Sequence, residues 1–163
     1  MDSLINIQVT NLVASRAQVF KAASLGDIKD ELRFTPDSLA WANELDIFRQ
    51  LDMINKPTNK GLYEITDGKK DAHSNLLVRS YMAKRDLPVK SIEVYYYKEF
   101  KNLKKIEAVY SESNALYFAK RSLIMNFDER KAVTILTHYA IAGVQKMIMS
   151  DSVHFTIKGN IVE

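Results

Sequence analysis

The chain has 163 residues, of which 47% are hydrophobic and 26% charged, and it contains no cysteine. That suits one compact domain or two small ones. It excludes a disordered polar chain, a disulfide scaffold, thiolate catalysis and a Cys-ligated zinc site. Net charge is +3. The chain up to Asp86 holds 12 basic against 12 acidic residues and the remainder 11 against 8, so the second half carries the whole excess and is the half expected to meet phosphates. The opening stretch has no charged segment leading into a long apolar run, and nowhere does the chain approach about 18 uninterrupted apolar residues. Neither a signal peptide nor a membrane span is expected, and the expected compartment is the cytoplasm.

In chain order, Asn11 can cap a helix over 12–24, where Leu12, Val13, Ala17, Phe20 and Ala23 recur at helical spacing. A short helix over 27–34 is suggested by Ile28 and Leu32 at i and i+4. Thr35 as cap, Pro36 at the first helical position and Asp37 in the first turn then open a third helix reaching Ile54. It carries an apolar stripe of Trp41, Ala42, Leu45 and Phe48. A strand over 53–56, a Pro-Thr-Asn-Lys-Gly loop and a returning strand over 62–66 make a hairpin, and a further helix follows over 71–85. Pro88 disfavours helix at Leu87, so the run from Ala83 to Lys90 reads as a joint between domains 1–86 and 87–163.

Beyond the joint the hydrophobic period shortens. Segments 89–100, 103–113 and 115–127, rich in Val, Ile, Tyr and Phe, read as a three-stranded meander. Asp128 and Glu129 then open a long apolar helix to Met149, and 153–163 reads as a last strand. The fold class so predicted is α+β: an N-terminal winged helix-turn-helix followed by a small β-β-β-α-β domain.

Three helices and a hairpin over 11–85, with the "GLYEIT" return strand, resemble the winged-helix domains of bacterial and phage transcription regulators. With "GLYEITDGKKDAHSNLL" and the later strands-helix-strand order, the chain also resembles the MotA-type activators of phage middle promoters. That resemblance implies a phage-encoded DNA-binding regulator acting in the host cytoplasm. Its winged helix would engage protein, such as RNA polymerase or a sigma factor, and its second domain would engage double-stranded DNA.

The residues themselves bear on that division. On the third helix Leu39, Asn43, Ile47 and Gln50 point outward, flanked by Glu44 and Asp46. Asn43 and Gln50 can pair with adenine, yet apolar surface with an acidic rim suits a basic protein partner better. Candidate phosphate contacts are Lys56 and Lys60 on the wing and Lys98, Lys101, Lys104, Lys105, Lys120 and Arg121 on the strands. The strand lysines are interleaved with tyrosines, a pattern that serves nucleic-acid contact and ordinary cross-strand packing equally well. The long apolar helix leaves a homodimer open, although packing between the two lobes accounts for it as well. No catalytic motif occurs: His73, His138 and His154 lack metal-ligand spacing, and no GxSxG, P-loop, GxGxxG or HExxH is present. The expectation is a non-enzyme without cofactor or metal. The alternative is a protein-binding adaptor or host-takeover (anti-defence) factor that never touches DNA.

Overall fold

The computed structural model describes residues 1–130 and 132–162; Lys131 and Glu163, within the last expected helix and strand, lie outside the described residues. Its element order is α1 (Asp2–Ala14), β1 (Gln18–Leu25), β2 (Ile28–Phe34), α2 (Ser38–Glu44), α3 (Asp46–Arg49), two 3-10 segments (Gln50–Asn55 and Pro57–Asn59), then seven strands in succession. These are β3 (Tyr63–Lys70), β4 (Leu77–Ala83), β5 (Val89–Tyr96), β6 (Leu103–Ser113), β7 (Tyr117–Arg130), β8 (Val133–Met147) and β9 (Val153–Val162). All nine strands form one antiparallel sheet in the order β2-β1-β9-β8-β7-β6-β5-β4-β3. The meander from β3 to β9 joins neighbours in sequence, whereas β1 reaches the far end of the chain to pair with β9.

The winged helix-turn-helix is therefore overturned, and with it the β-β-β-α-β second domain. The expected hairpin is absent: 53–56 falls on 3-10 structure and the loop, and β3 pairs with β4 instead. Pro57 disfavours helix at Lys56, which is extended (φ −62°, ψ 136°) and ends the first 3-10 segment. The helices expected over 12–24 and 27–34 are largely β1 and β2, that over 71–85 contains β4, and that from Asp128 to Met149 runs through the end of β7 and β8. Strands are present in all three segments of the expected meander and in the last one. The run read as a joint links β4 to β5, which lie side by side in the same sheet.

Helices cover one face of this sheet, here called inner. α1 turns Ile5, Gln8, Val9 and Leu12 onto it, a stripe at i, i+3, i+4 and i+7. Asp37 accepts a 2.8 Å hydrogen bond from the Ala40 amide as the N-cap of α2, which delivers Trp41, while α3 and the 3-10 segment deliver Phe48 and Leu51. From the strands, Val19, Ile92, Ile106, Leu123, Tyr139 and Ile161 complete the core. Gln8, almost wholly buried, docks α1 edge-on: its Nε2 donates to the Thr134 carbonyl (3.0 Å) and its Oε1 accepts from the Leu136 amide (2.7 Å). Those bonds satisfy β8 backbone where the β7–β8 register shifts, between Asn126 and Phe127.

One row crosses three strands. Tyr139 on β8 sits opposite Gly159 on β9, which sits opposite Lys21 on β1. A Cβ at Gly159 would lie 2.1 Å from the Tyr139 ring, so the ring rests directly on glycine backbone. The Tyr139 hydroxyl donates to Glu44 (2.6 Å) and Lys21 Nζ lies 2.7 Å from the same carboxylate, tying α2 to both strands. Gly159→Ala should lower stability by about 1–3 kcal/mol through overpacking, because the fully buried ring has nowhere to move. Chemical denaturation measures it.

Candidate functional site

The helix layer does not fill the inner face. Between the start of α1, the Gln50–Asn55 segment and strands β4 to β6 lies a cavity of about 380 Å3. Its walls are Leu4, Leu51, Ile54, Ile92, Val94, Leu103 and Ile106, with Met1, Tyr81 and Phe100. Period-2 pairing explains the strand contribution: Ile92 and Val94 of β5 face the same way as Ile106 of β6, which pairs with Val94. Polar groups are few: Asn55, Lys101 and Thr134 complete the lining. Asn55, Phe100 and Lys101 are its exposed members, so the mouth opens between the 3-10 segment and the β5–β6 turn. Met1 is tied down by its amine, which lies 2.7 Å from Asp52.

Phe100, the outer wall, is gripped by a polar relay. The Arg79 guanidinium stacks 3.9 Å over its ring, and Tyr96 meets it edge-on with centroids 5.5 Å apart. Arg79 is paired with Asp67, which also accepts from the Tyr96 hydroxyl (2.7 Å). Asp67 reaches this position from a β-bulge between Thr66 and Lys69, where Gly68 takes φ +75°. Hydrogen bonds from Arg79 and then Tyr96 hold the Asp67 carboxyl down at about 2.

The expected DNA contacts do not gather on one surface. Lys98 and Lys101 stand on the β5–β6 turn, Lys98 with φ +60° and its amine 5.1 Å over the Tyr97 ring, Lys101 2.8 Å from Glu99. Lys104 lies 3.9 Å from Asp128. Lys105 is on the outer face, 4.0 Å over Tyr95 and 3.0 Å from Glu107. Lys120 and Arg121 are adjacent strand residues on opposite faces, and Arg121 turns inward to donate to Gln50 (3.4 Å). Lys56 and Lys60 flank the second 3-10 segment and line a separate cavity beside Tyr63 and Ile65. Nor do the expected partner-binding residues form a helix face. Leu39 and Asn43 are exposed on α2, Ile47 is half-buried against the core on α3, and Gln50 begins the 3-10 segment.

Tyr95 donates to both Glu93 (3.1 Å) and Glu107 (3.0 Å) on the outer face, and burial first, then Glu107, pushes its hydroxyl pKa up. Tyr139 is pushed up in the same way, by burial and then Glu44. These are structural links between neighbouring elements. Among the described residues no group of three or more Asp, Glu or His is placed to hold a metal ion, and no helix is long and apolar enough to cross a membrane. His138 lies 2.8 Å from Asn160 in a cross-strand pair. No protein-family model, curated protein or solved structure matches this chain.

The sequence singled out Lys98 and Lys101 as DNA contacts and gave no indication of the cavity that Lys101 lines. The alternation of Ile92, Val94 and Ile106 marked the strand wall alone; nothing local marked that Leu4, Leu51 and Ile54 meet it.

Asp67 gives a pH signature. Its carboxyl pKa is lowered from 3.8 to about 2, so its contribution is fully present above the unfolded value and is lost as pH falls through the folded one. Urea titrations should show wild type losing stability between about pH 4 and pH 2 through this group. Asp67→Asn should be less stable at neutral pH, and its deficit should shrink over that window.

Proposed function

We propose that this protein is a non-catalytic binder of an apolar small molecule, held between the helix layer and the inner face of the sheet. The supporting observation is the cavity itself, walled by Leu51, Ile54, Ile92, Val94, Leu103 and Ile106 from three separate segments. Its 380 Å3 falls in the range of small-molecule sites, about 300–1,000 Å3. Its apolar walls leave hydrophobic surface open to water at the mouth, which a bound apolar molecule would cover. Water fills such a space poorly, since each molecule needs two to four polar partners and these walls offer few. A ligand with apolar surface needs none of them.

Titration with N-phenyl-1-naphthylamine, a neutral fluorophore that brightens in apolar surroundings, tests this reading. Wild type should bind it saturably. Ile54→Trp, which places a larger ring in the cavity from a half-buried position, should weaken binding at least about tenfold while the circular dichroism spectrum is unchanged. Equal binding by both proteins would place the dye elsewhere, for instance on the exposed Leu25 and Ile28 at the β1–β2 end, and would sink the proposal.

A second reading keeps contact with double-stranded DNA, moved to the outer face. One observation favours it: Lys120, Lys146 and Lys158 project from neighbouring strands on that face, and among the described residues they form no ion pair. Under this reading, Lys120→Ala with Lys158→Ala should flatten the dependence of log K on log salt by about two units. Unchanged affinity and slope in a fluorescence-anisotropy titration would dispose of it.

A further inference from the structure

Resting on the cavity reading above, we propose that the ligand is a single-chain amphiphile with an anionic head, its tail among the core strands and its head at Lys101. The polarity of the lining runs in one direction. Leu51, Ile92 and Ile106 are fully or almost fully buried and form the deep wall, whereas the polar residues Asn55 and Lys101 are exposed at the mouth. Such a gradient fits a molecule with an apolar body and one polar end.

The sign of that end follows from the charges present. Among the described residues the lining has one cationic side chain, Lys101, and no carboxylate. A cationic head would meet an ammonium with no counter-charge in the lining, and a neutral head would leave that ammonium unused. An anionic head gains a charge-assisted hydrogen bond. Lys101 is already 2.8 Å from Glu99, but the two side chains are 76% and 65% exposed. An ion pair between two such exposed side chains is screened by water and weak, so it does not hold the ammonium away from an incoming ligand. Arg79, stacked on Phe100, adds a second cation behind the mouth wall, although Asp67 neutralises it locally.

Size limits the tail. A sealed apolar cavity of about 150 Å3 takes six-carbon benzene, so 380 Å3 accommodates on the order of ten to fifteen carbons. A dodecyl chain fits that range, whereas a two-chain lipid would leave most of its carbons outside.

The test is displacement of N-phenyl-1-naphthylamine from the full chain by dodecanoate, dodecanol and dodecyltrimethylammonium, each below its micellar concentration. Dodecanoate should displace the dye about three- to fivefold more tightly than dodecanol, with dodecyltrimethylammonium weakest, and added salt should narrow the gap. Lys101→Met should remove the preference for the carboxylate, bringing dodecanoate and dodecanol to similar affinity, and Lys101→Glu should invert it. Equal affinities for the three compounds in wild type would overturn the anionic-head assignment while the apolar cavity reading stands. A carboxylate preference that survives in Lys101→Met would overturn the role of Lys101. Failure of the dye itself to bind would remove the underlying reading and this one with it.

Discussion

The pairing of β1 with β9, held under Glu44, is the constraint on which the rest of the structure depends. Without it the chain would be a seven-stranded meander with a detached hairpin, since β1 and β2 meet the sheet only through β9. Strands so far apart in sequence must close a long loop, a cost that local propensity cannot supply. The row of Lys21, Gly159 and Tyr139 supplies a compensating contact. Gly159 lets the Tyr139 ring lie across β9, and Glu44 draws the Tyr139 hydroxyl and the Lys21 ammonium to one carboxylate. The Phe48 ring meets Tyr139 edge-on, centroids 6.3 Å apart, so the link joins the apolar core to the polar contact. One carboxylate thus fixes both the register of the far strand pair and the seat of α2.

The seat of α2 in turn decides where the inner face stays open. α1 and α2 lie over the β1, β9 and β8 side, where Gln8 and Glu44 tie them to strand backbone and side chains. Beyond Arg49 the helical path tightens to 3-10, and extended Lys56 before Pro57 interrupts it. A 3-10 segment is short and packs less side-chain volume over a sheet than a regular helix does. Over β4 to β6 the cover is accordingly thin, and the cavity lies there. Its outer wall is supplied from the other side by Phe100, which the Asp67–Arg79 relay keeps in place.

Alternating burial alone did not decide which strands were legible: β4, with Val78 and Ser80 buried at period two, read as a helix, while β5, with two register shifts, read as a strand. β5 and β6 carry Ile92, Val94, Ile106 and Ala108 at period two, and they read as strands. In β8 the register shift separates buried Leu136 from Tyr139 by three residues, a helical interval, so a strand presented itself as a helix. In β2 the pair Ile28 and Leu32, at i and i+4, satisfies a period of two as well as one near 3.6, and the periodicity alone could not choose. Of the candidate site, Lys101 was visible as an isolated charge. The cavity was not, because Leu4, Leu51 and Ile54 meet Ile92 and Ile106 only through the tertiary fold. No local pattern in the chain encodes that meeting.

The aromatic–glycine contact also recurs, and the recurrence explains the shape of the uncovered end. β8 carries Tyr139 and Gly143, β9 carries Phe155 and Gly159, and each aromatic faces the other strand's glycine. A Cβ at Gly143 would lie 2.7 Å from the Phe155 ring, so that ring too lies on glycine backbone. The two strands exchange aromatics for glycines at an interval of four residues, which locks their register, because a shift by one residue would set both rings against side chains on the wrong face. The outcomes differ only in what lies above. Tyr139 is capped by α2 and fully buried, while Phe155 is half-buried beside exposed Leu25 and Ile28, with no helix among the described residues over it. The same local device therefore makes a sealed core at one row and a flat apolar floor at the other. What separates them is the reach of the helix layer, set by the contact between Glu44 and Tyr139.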